Sequence, residues 1–396
     1  MRYPLANSSW DHEEIAAIQE VVQSGMFTMG ARVAEFERAF ADYTGSRHCV
    51  MVNSGSSANL LMVAALRYRK QQALLPGAEV IVPAVSWSTT YYPLYQYGLK
   101  LNFVDIDRDT LNYDLDKLAA AIGPNTRAIM IVNLLGNPND YARIKQIVGD
   151  RDIVLIEDNC ESMGARFEGR QAGTFGLMGS FSAFFSHHIS TMEGGMVVTD
   201  DEELHHILLA LRSHGWTRNL PKINQVTTPK SDDPFVESFR FVLPGYNVRP
   251  LEMSGAIGLA QVKKLPQLIS ERRRNAERFL KVMQDYPYLR TQHEVGDSSW
   301  FGFSMVVASD APVSRADLVA AFSRAGIEVR PVVGGNFAKN EVLRWFDYTI
   351  SGGLPNAEEI DQAGLFIGNH HYPLNDELDA LRTALDDATA SRASAN

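Results

Sequence analysis

Between residues 48 and 199 the chain repeats one alternation: a short apolar run, then, at several points, a longer stretch with helical spacing of apolar residues. The runs are HCVMVN (48–53), EVIVP (79–83), LNFVD (101–105), RAIMIVN (127–133), DIVLIED (152–158), GSFSAFF (179–185) and GGMVVT (194–199). Helical periods near 55–68, 114–122, 138–149 and 201–213 lie between some of them. A strand that is apolar on both faces must be covered on both, and helical links let successive strands run parallel. The pattern predicts an α/β fold: a seven-stranded, mostly parallel sheet with helices on both faces. Upstream, Asp11 with Glu14 in capping-box spacing opens a helix with Ile15, Ile18 and Val22 on one face, and Gly25 stops it.

The chain has 396 residues, more than one ordinary core accommodates. The pattern changes near residue 250. Residues 252–286 read as one long, charge-rich bridging helix. Residues 300–308 and 326–333 read as strands, with a helix over 314–325 between them. These features predict a large α/β domain over 1–250 and a smaller α+β C-terminal domain over 251–396. The stretch 217–246 is polar, contains proline and has no period; a loop of that length is functional or disordered. The Ala/Ser-rich tail after Asp387 is expected to fray.

The formal net charge of −10 argues against nucleic-acid partners and anionic membrane surfaces, so an anionic ligand needs local arginines. No apolar run is long enough to span a bilayer, and the start, MRYPLANSSW, has no apolar segment of a secretory signal. Two cysteines, Cys49 and Cys160, make neither a disulfide framework nor a four-thiolate metal site. No metal is expected, and a cytoplasmic, reducing location fits.

In open α/β sheets ligands sit at the C-terminal ends of the strands. The first strand is followed by Asn53-Ser54-Gly55-Ser56-Ser57-Ala58-Asn59 at a helix start. Glycine and small hydroxyls there form a phosphate cradle, although a plain serine-capped helix has the same signature. Trp87, after the second strand, fits a stacking ring or a core aromatic. Asp158 ends the fifth strand with Glu161 three residues on; a buried carboxylate there calls for a cationic partner, unless it is a helix cap. Ser182 lies on the sixth strand and His187 five residues further. A phosphate site, a flat ring, a carboxylate for a cationic nitrogen and a polar group above them match one cofactor, pyridoxal 5′-phosphate (PLP).

With these residues assembled, the chain resembles the DegT/StrS-like sugar aminotransferases, PLP enzymes of fold type I, over nearly its whole length. The likeness is carried by the SGSSAN loop, Trp87, the segment from Asp158 to Glu161, Ser182, the EGG turn, Gly245-Tyr246-Asn247 with Arg249, and the late RPVVGGNF. In that family the residue five after the sheet serine is a lysine that binds PLP as a Schiff base. Here it is His187, and no lysine occurs from 146 to 221. The resemblance is therefore to the lysine-less branch, the sugar 3-dehydratases.

That resemblance implies non-covalent PLP and pyridoxamine phosphate (PMP), bound by Gly55, Ser56, Trp87, Asp158, Glu161 and Ser182. It implies a homodimer in which Asn247 reaches the cofactor phosphate of the partner subunit. It also implies a reaction. PMP condenses with a nucleotide-linked 4-keto-6-deoxyhexose, His187 takes a proton from the cofactor's methylene carbon, and the C-3 hydroxyl leaves. The 3-deoxy-4-keto sugar and ammonia are released, and L-glutamate regenerates PMP. A histidine suits the proton transfer near neutrality. Arg218, Arg249 and Arg330 are candidate clamps for the diphosphate, and each equally fits an exposed ion pair. Glu328 is a candidate for sugar hydroxyls or the base edge. His214 fits either a ligand contact or a surface helix end, and His188 reads as packing. Three rival readings stand beside this one. An iron–sulfur dehydratase needs more cysteines than two. An aminotransferase would release an amino sugar. An inactive cofactor-binding regulator would show no response to glutamate.

Overall fold

The computed structural model describes residues 2–393. The seven strands of the main sheet's first part are β1 (His48–Val52), β2 (Glu79–Pro83), β3 (Lys100–Val104), β4 (Thr126–Val132), β5 (Val154–Asp158), β6 (Met178–Ser182) and β7 (Gly195–Thr199). An eighth, β8 (Tyr348–Ser351), pairs in parallel with β3 at the sheet edge. The sheet therefore has eight strands rather than the seven expected, in the order β1-β7-β6-β5-β4-β2-β3-β8. Edge position explains why β8 is hard to read: Tyr348 and Ile350 are exposed, so the segment lacks a doubly buried apolar run. Only β7 is antiparallel to its neighbours, so the C-terminal ends of all the others point the same way.

Both faces are covered, and β4 shows it residue by residue. Ala128 and Met130 pack in one cluster with the helix Gly55–Tyr68, while Ile129 and Ile131 pack in another with the helix Tyr141–Val148. The first helix, His12–Ser24, has the expected Asp11–Glu14 capping box and ends at Gly25. Further helices of this part are Ala31–Thr44, Ser88–Gln96, Leu115–Ala121 and Glu202–Arg212. Gly30 gives Ala31–Thr44 no side-chain cap. Its free N–H groups are met instead by Glu252, which accepts from Gly30 N at 2.5 Å and Arg32 N at 2.6 Å. A carboxylate at a helix N-terminus is favourable for the dipole as well.

The long helix runs from Glu252 to Met283. Val262 and Leu265 pack with Phe36 and Phe40, whereas Phe279 and Met283 belong to a second core. That second core lies on a four-stranded antiparallel sheet of Leu289–Thr291, Gly302–Val307, Gly364–Gly368 and Val329–Arg330. The strand expected over 326–333 shrinks to Val329–Arg330: Pro331 has no N–H to continue the ladder, and further on Gly334 packs against the Ser86 carbonyl. Tyr3 is buried in this second core, and β8 leaves it for the large sheet. The tail after Asp387 does not fray as far as it is described. The helix Asn375–Ala393 continues through it, with Ala388 buried and Thr389 Oγ1 3.1 Å from the Tyr288 hydroxyl. Residues 217–246 hold one short helix, Pro234–Glu237, within irregular chain. No helix among the described residues is long and apolar enough to cross a membrane.

Candidate active site

The ends of β1, β2, β4, β5 and β6 open into a cleft of about 410 Å³. Its floor begins at Ser54, whose hydroxyl caps the helix Gly55–Tyr68 by accepting from Ser57 N at 3.1 Å. Gly55 must be glycine, since a Cβ there would lie 2.7 Å from Ser182 Cβ and 2.9 Å from Cys160 Sγ. Close approach of the loop to β6 leaves the helix N-terminus and Ser56 open to the cleft, where an anionic group is favoured. Trp87 is 59% exposed and lines the cleft, so it is not a core aromatic.

Asp158 closes β5 and is buried, and it does not cap a helix. Its Oδ1 accepts from Cys160 N at 3.1 Å, and its Oδ2 accepts from Asn59 Nδ2 at 2.7 Å and Thr90 Oγ1 at 2.8 Å. All three donors are neutral. A buried carboxylate of this kind lacks a cation, and a protonated ring nitrogen supplies one. Glu161 also lines the cleft; burial pushes its pKa up to about 7, with the Asp158 charge adding to the rise and a hydrogen bond from Leu135 N opposing it. Ser182 is buried at the end of β6, and its Oγ accepts from Phe184 N at 3.3 Å.

His187 stands half-buried in the cleft wall, with its ring 5.0 Å from that of Phe301. Its Nδ1 lies 2.6 Å from the Cys160 carbonyl oxygen. A carbonyl only accepts, so Nδ1 carries the proton and Nε2 is the free base. Burial pushes the pKa down to about 4, the Cys160 carbonyl opposes this, and the Arg272 guanidinium lowers it further. His188 is buried outside the cleft, with Nε2 3.2 Å from Ser299 O.

The remaining candidates do not line this cleft. His214, Arg218 and Arg249 gather instead around Trp216: the His214 ring is 4.7 Å from it, and the two guanidinium carbons are 4.4 and 5.9 Å from its ring centre. Asn247 accepts from Arg249 Nε at 2.9 Å. His214 has φ +60°, and Gly215 (φ +79°) packs so closely that a Cβ would fall on Leu243 O. Glu328 and Arg330 form an ion pair of 2.8 Å in the second sheet, and Glu328 also accepts from Leu5 N. The sequence reading assigned no role to Asn59, which ends the cradle segment, or to Glu193 of the EGG turn, and did not point to Thr90 or Asn133. Asn133 and Glu193 line the cleft, while Asn59 and Thr90 hold Asp158. An asparagine inside the otherwise apolar NLLMVAAL was the one available signal.

The model of the DegT/DnrJ/EryC1/StrS aminotransferase family matches residues 8–385. The chain belongs to this family. Among its relatives is GDP-4-keto-6-deoxy-D-mannose 3-dehydratase of Escherichia coli O55:H7, 61% identical over 386 residues, covering 97% of this chain and 100% of the relative. The enzyme of the same name from Yersinia pseudotuberculosis is 60% identical over 379 residues, covering 96% of each. A crystal structure of GDP-4-keto-6-deoxymannose-3-dehydratase with a trapped PLP-glutamate geminal diamine superposes with a TM-score of 0.96 at 61% identity, over 97% of this chain and 100% of that one. The fold is thus that of the fold-type I PLP enzymes, and the family member here is an enzyme with histidine where the aminotransferase lysine stands.

Proposed function

We propose that this enzyme is a PLP- and PMP-dependent 3-dehydratase that removes the C-3 hydroxyl of GDP-4-keto-6-deoxy-D-mannose, with L-glutamate as amino donor and ammonia as by-product. The reaction belongs to dideoxysugar biosynthesis of the O-antigen or colitose type, in the cytoplasm. The observation that carries the reading is His187, an imidazole whose free Nε2 faces a cleft suited to PLP. Bound there, PMP would supply the amine for the 4-keto group and a conjugated ring able to take the electron pair left by the methylene proton and pass it on as the C-3 hydroxyl departs. Imidazole forms no Schiff base, so the cofactor rests on Asp158, Trp87, Ser182 and the start of the helix Gly55–Tyr68. His187 Nε2 removes the proton at the cofactor's methylene carbon and returns it to the departing hydroxyl. Its lowered pKa keeps it in the base form at neutral pH.

In this reading Asn247, Arg218, Arg249 and His214 serve the site of the partner subunit in a homodimer. None of the four lines the cleft of its own chain, which supports it, and so do the exposed Phe235, Phe239 and Phe241 on the stretch before Asn247, which a second copy would cover. Glu328 and Arg330 are assigned to the nucleotide sugar.

The test is incubation with GDP-4-keto-6-deoxy-D-mannose, PLP and L-glutamate. The expected outcome is ammonia and the 3-deoxy sugar, with no cofactor fixed to the chain by borohydride. An amino sugar without ammonia, or a pyridoxyl-lysine, would overturn the reading.

A further inference from the structure

We propose that Asn59 is a positioning residue for the cofactor: it holds the Asp158 carboxylate in a fixed orientation, leaving Oδ1 for the ring nitrogen. The proposal rests on the PLP reading above. Asn59 sits on the helix Gly55–Tyr68, where Leu61, Met62, Ala65 and Leu66 are fully buried, and it is itself 1% exposed. A buried amide is costly unless every polar group finds a partner, and a leucine would fill the same space without that cost. Here the partners are present. Asn59 Nδ2 donates to Asp158 Oδ2 at 2.7 Å, and Asn59 Oδ1 accepts from Ser180 Oγ at 2.6 Å. The carboxylate only accepts, so the amide cannot be turned round.

The second donor, Thr90 Oγ1, reaches the same oxygen, Oδ2, at 2.8 Å. Oδ1 accepts from Cys160 N, at 3.1 Å, with the Cys160 thiol close to the same carboxylate, and a carboxylate oxygen has a second lone pair for a ligand. The amide thus spans the helix, β5 and β6 and sets which carboxylate oxygen remains available. Two donors on one oxygen fix the carboxylate plane, so the other oxygen is presented to a ring nitrogen in one direction. A chain with histidine at 187 depends on this contact more than one that holds its cofactor by a covalent bond.

The experiment compares PLP affinity of the apo protein with that of Asn59→Leu and Asn59→Ala, by absorbance titration at neutral pH, beside Ser180→Ala. Loss of one charge-assisted hydrogen bond is expected to weaken PLP binding about tenfold. It also shifts the absorbance maximum of bound PLP, because the ring nitrogen meets a carboxylate that is no longer held in place. Ser180→Ala keeps the amide–carboxylate bond and shifts that maximum less. Unchanged affinity in either Asn59 variant that folds overturns the proposal. So does weaker binding with an unmoved absorbance maximum, which assigns Asn59 to packing alone. Failure of the unaltered protein to bind PLP overturns the parent reading instead.

Discussion

The cleft at the strand ends and the cluster around Trp216 contain similar chemistry, and they differ in how they are closed. In the cleft each polar side chain is held from its own chain: Asp158 by Asn59 and Thr90, His187 by the Cys160 carbonyl, Ser54 by Ser57 N. Around Trp216 two guanidinium groups and a tilted imidazole lie against one indole whose buried Nε1 has no hydrogen-bond partner among the described residues, beside a segment of exposed phenylalanines. A rigid, self-sufficient pocket suits a cofactor that never leaves by a covalent step. An unfinished cationic surface suits a ligand or a subunit that completes it.

The sharpest way to separate the two regions is to disable the proposed base. His187→Asn removes the only imidazole among the described residues that line the cleft, and leaves an amide donor in its place. Deoxy-sugar and ammonia formation is expected to fall by roughly 10²- to 10⁴-fold, the usual worth of a general base. Cofactor affinity measured by absorbance should change little. Retained turnover would mean that the proton is moved elsewhere.

The comparison itself breaks or holds on Arg218. If the Trp216 cluster grips a nucleotide diphosphate, Arg218→Ala raises the KM for the sugar nucleotide by about 10- to 100-fold and leaves PLP binding alone. In the proposed dimer, mixing Arg218→Ala with His187→Asn restores activity, because half of the hybrid's sites are intact. Random reassortment puts the ceiling at roughly a quarter of the unmodified rate. No recovery on mixing would place the cluster over its own cleft.

How much of this was legible follows the same division. Strands β1 to β7 declare themselves because both faces are buried and each reads as an apolar run. β8 does not, since water covers one side of Ile350. The spacing from Ser182 to His187 is local and needed no coordinates. Which imidazole nitrogen is left unprotonated was hidden, because it depends on a carbonyl 27 residues away at Cys160. The helix Ala31–Thr44 has a regular apolar face in Val33, Phe36 and Phe40, and its cap comes from Glu252, more than two hundred residues downstream. Three arginines could be named as phosphate candidates from charge alone. That two of them share Trp216 while Arg330 pairs with Glu328 is a matter of tertiary placement. Asn59 was readable as a misfit in an apolar helix, a signal that gains meaning only once Asp158 is seen across from it.

The smallest expected effect tests the electrostatics of the cleft wall. Burial is the main reason that the His187 pKa is low, and Arg272 is a lesser one. Arg272 is itself buried, with Nη1 bound to the carbonyls of Phe301 and Asn369, so its charge is fixed in place. A base works only when unprotonated, so the rate falls as pH drops through its pKa. With that value pushed down to about 4, the acid limb of kcat lies well below the value near 6.5 of a free imidazole. Arg272→Gln removes a positive charge that disfavours protonation, so the limb should move up, by less than about one pH unit since burial persists. Arg272→Lys keeps the charge and should leave the limb in place. A limb that returned fully to 6.5 in the glutamine variant would mean that the guanidinium, and not the dry pocket, sets the base.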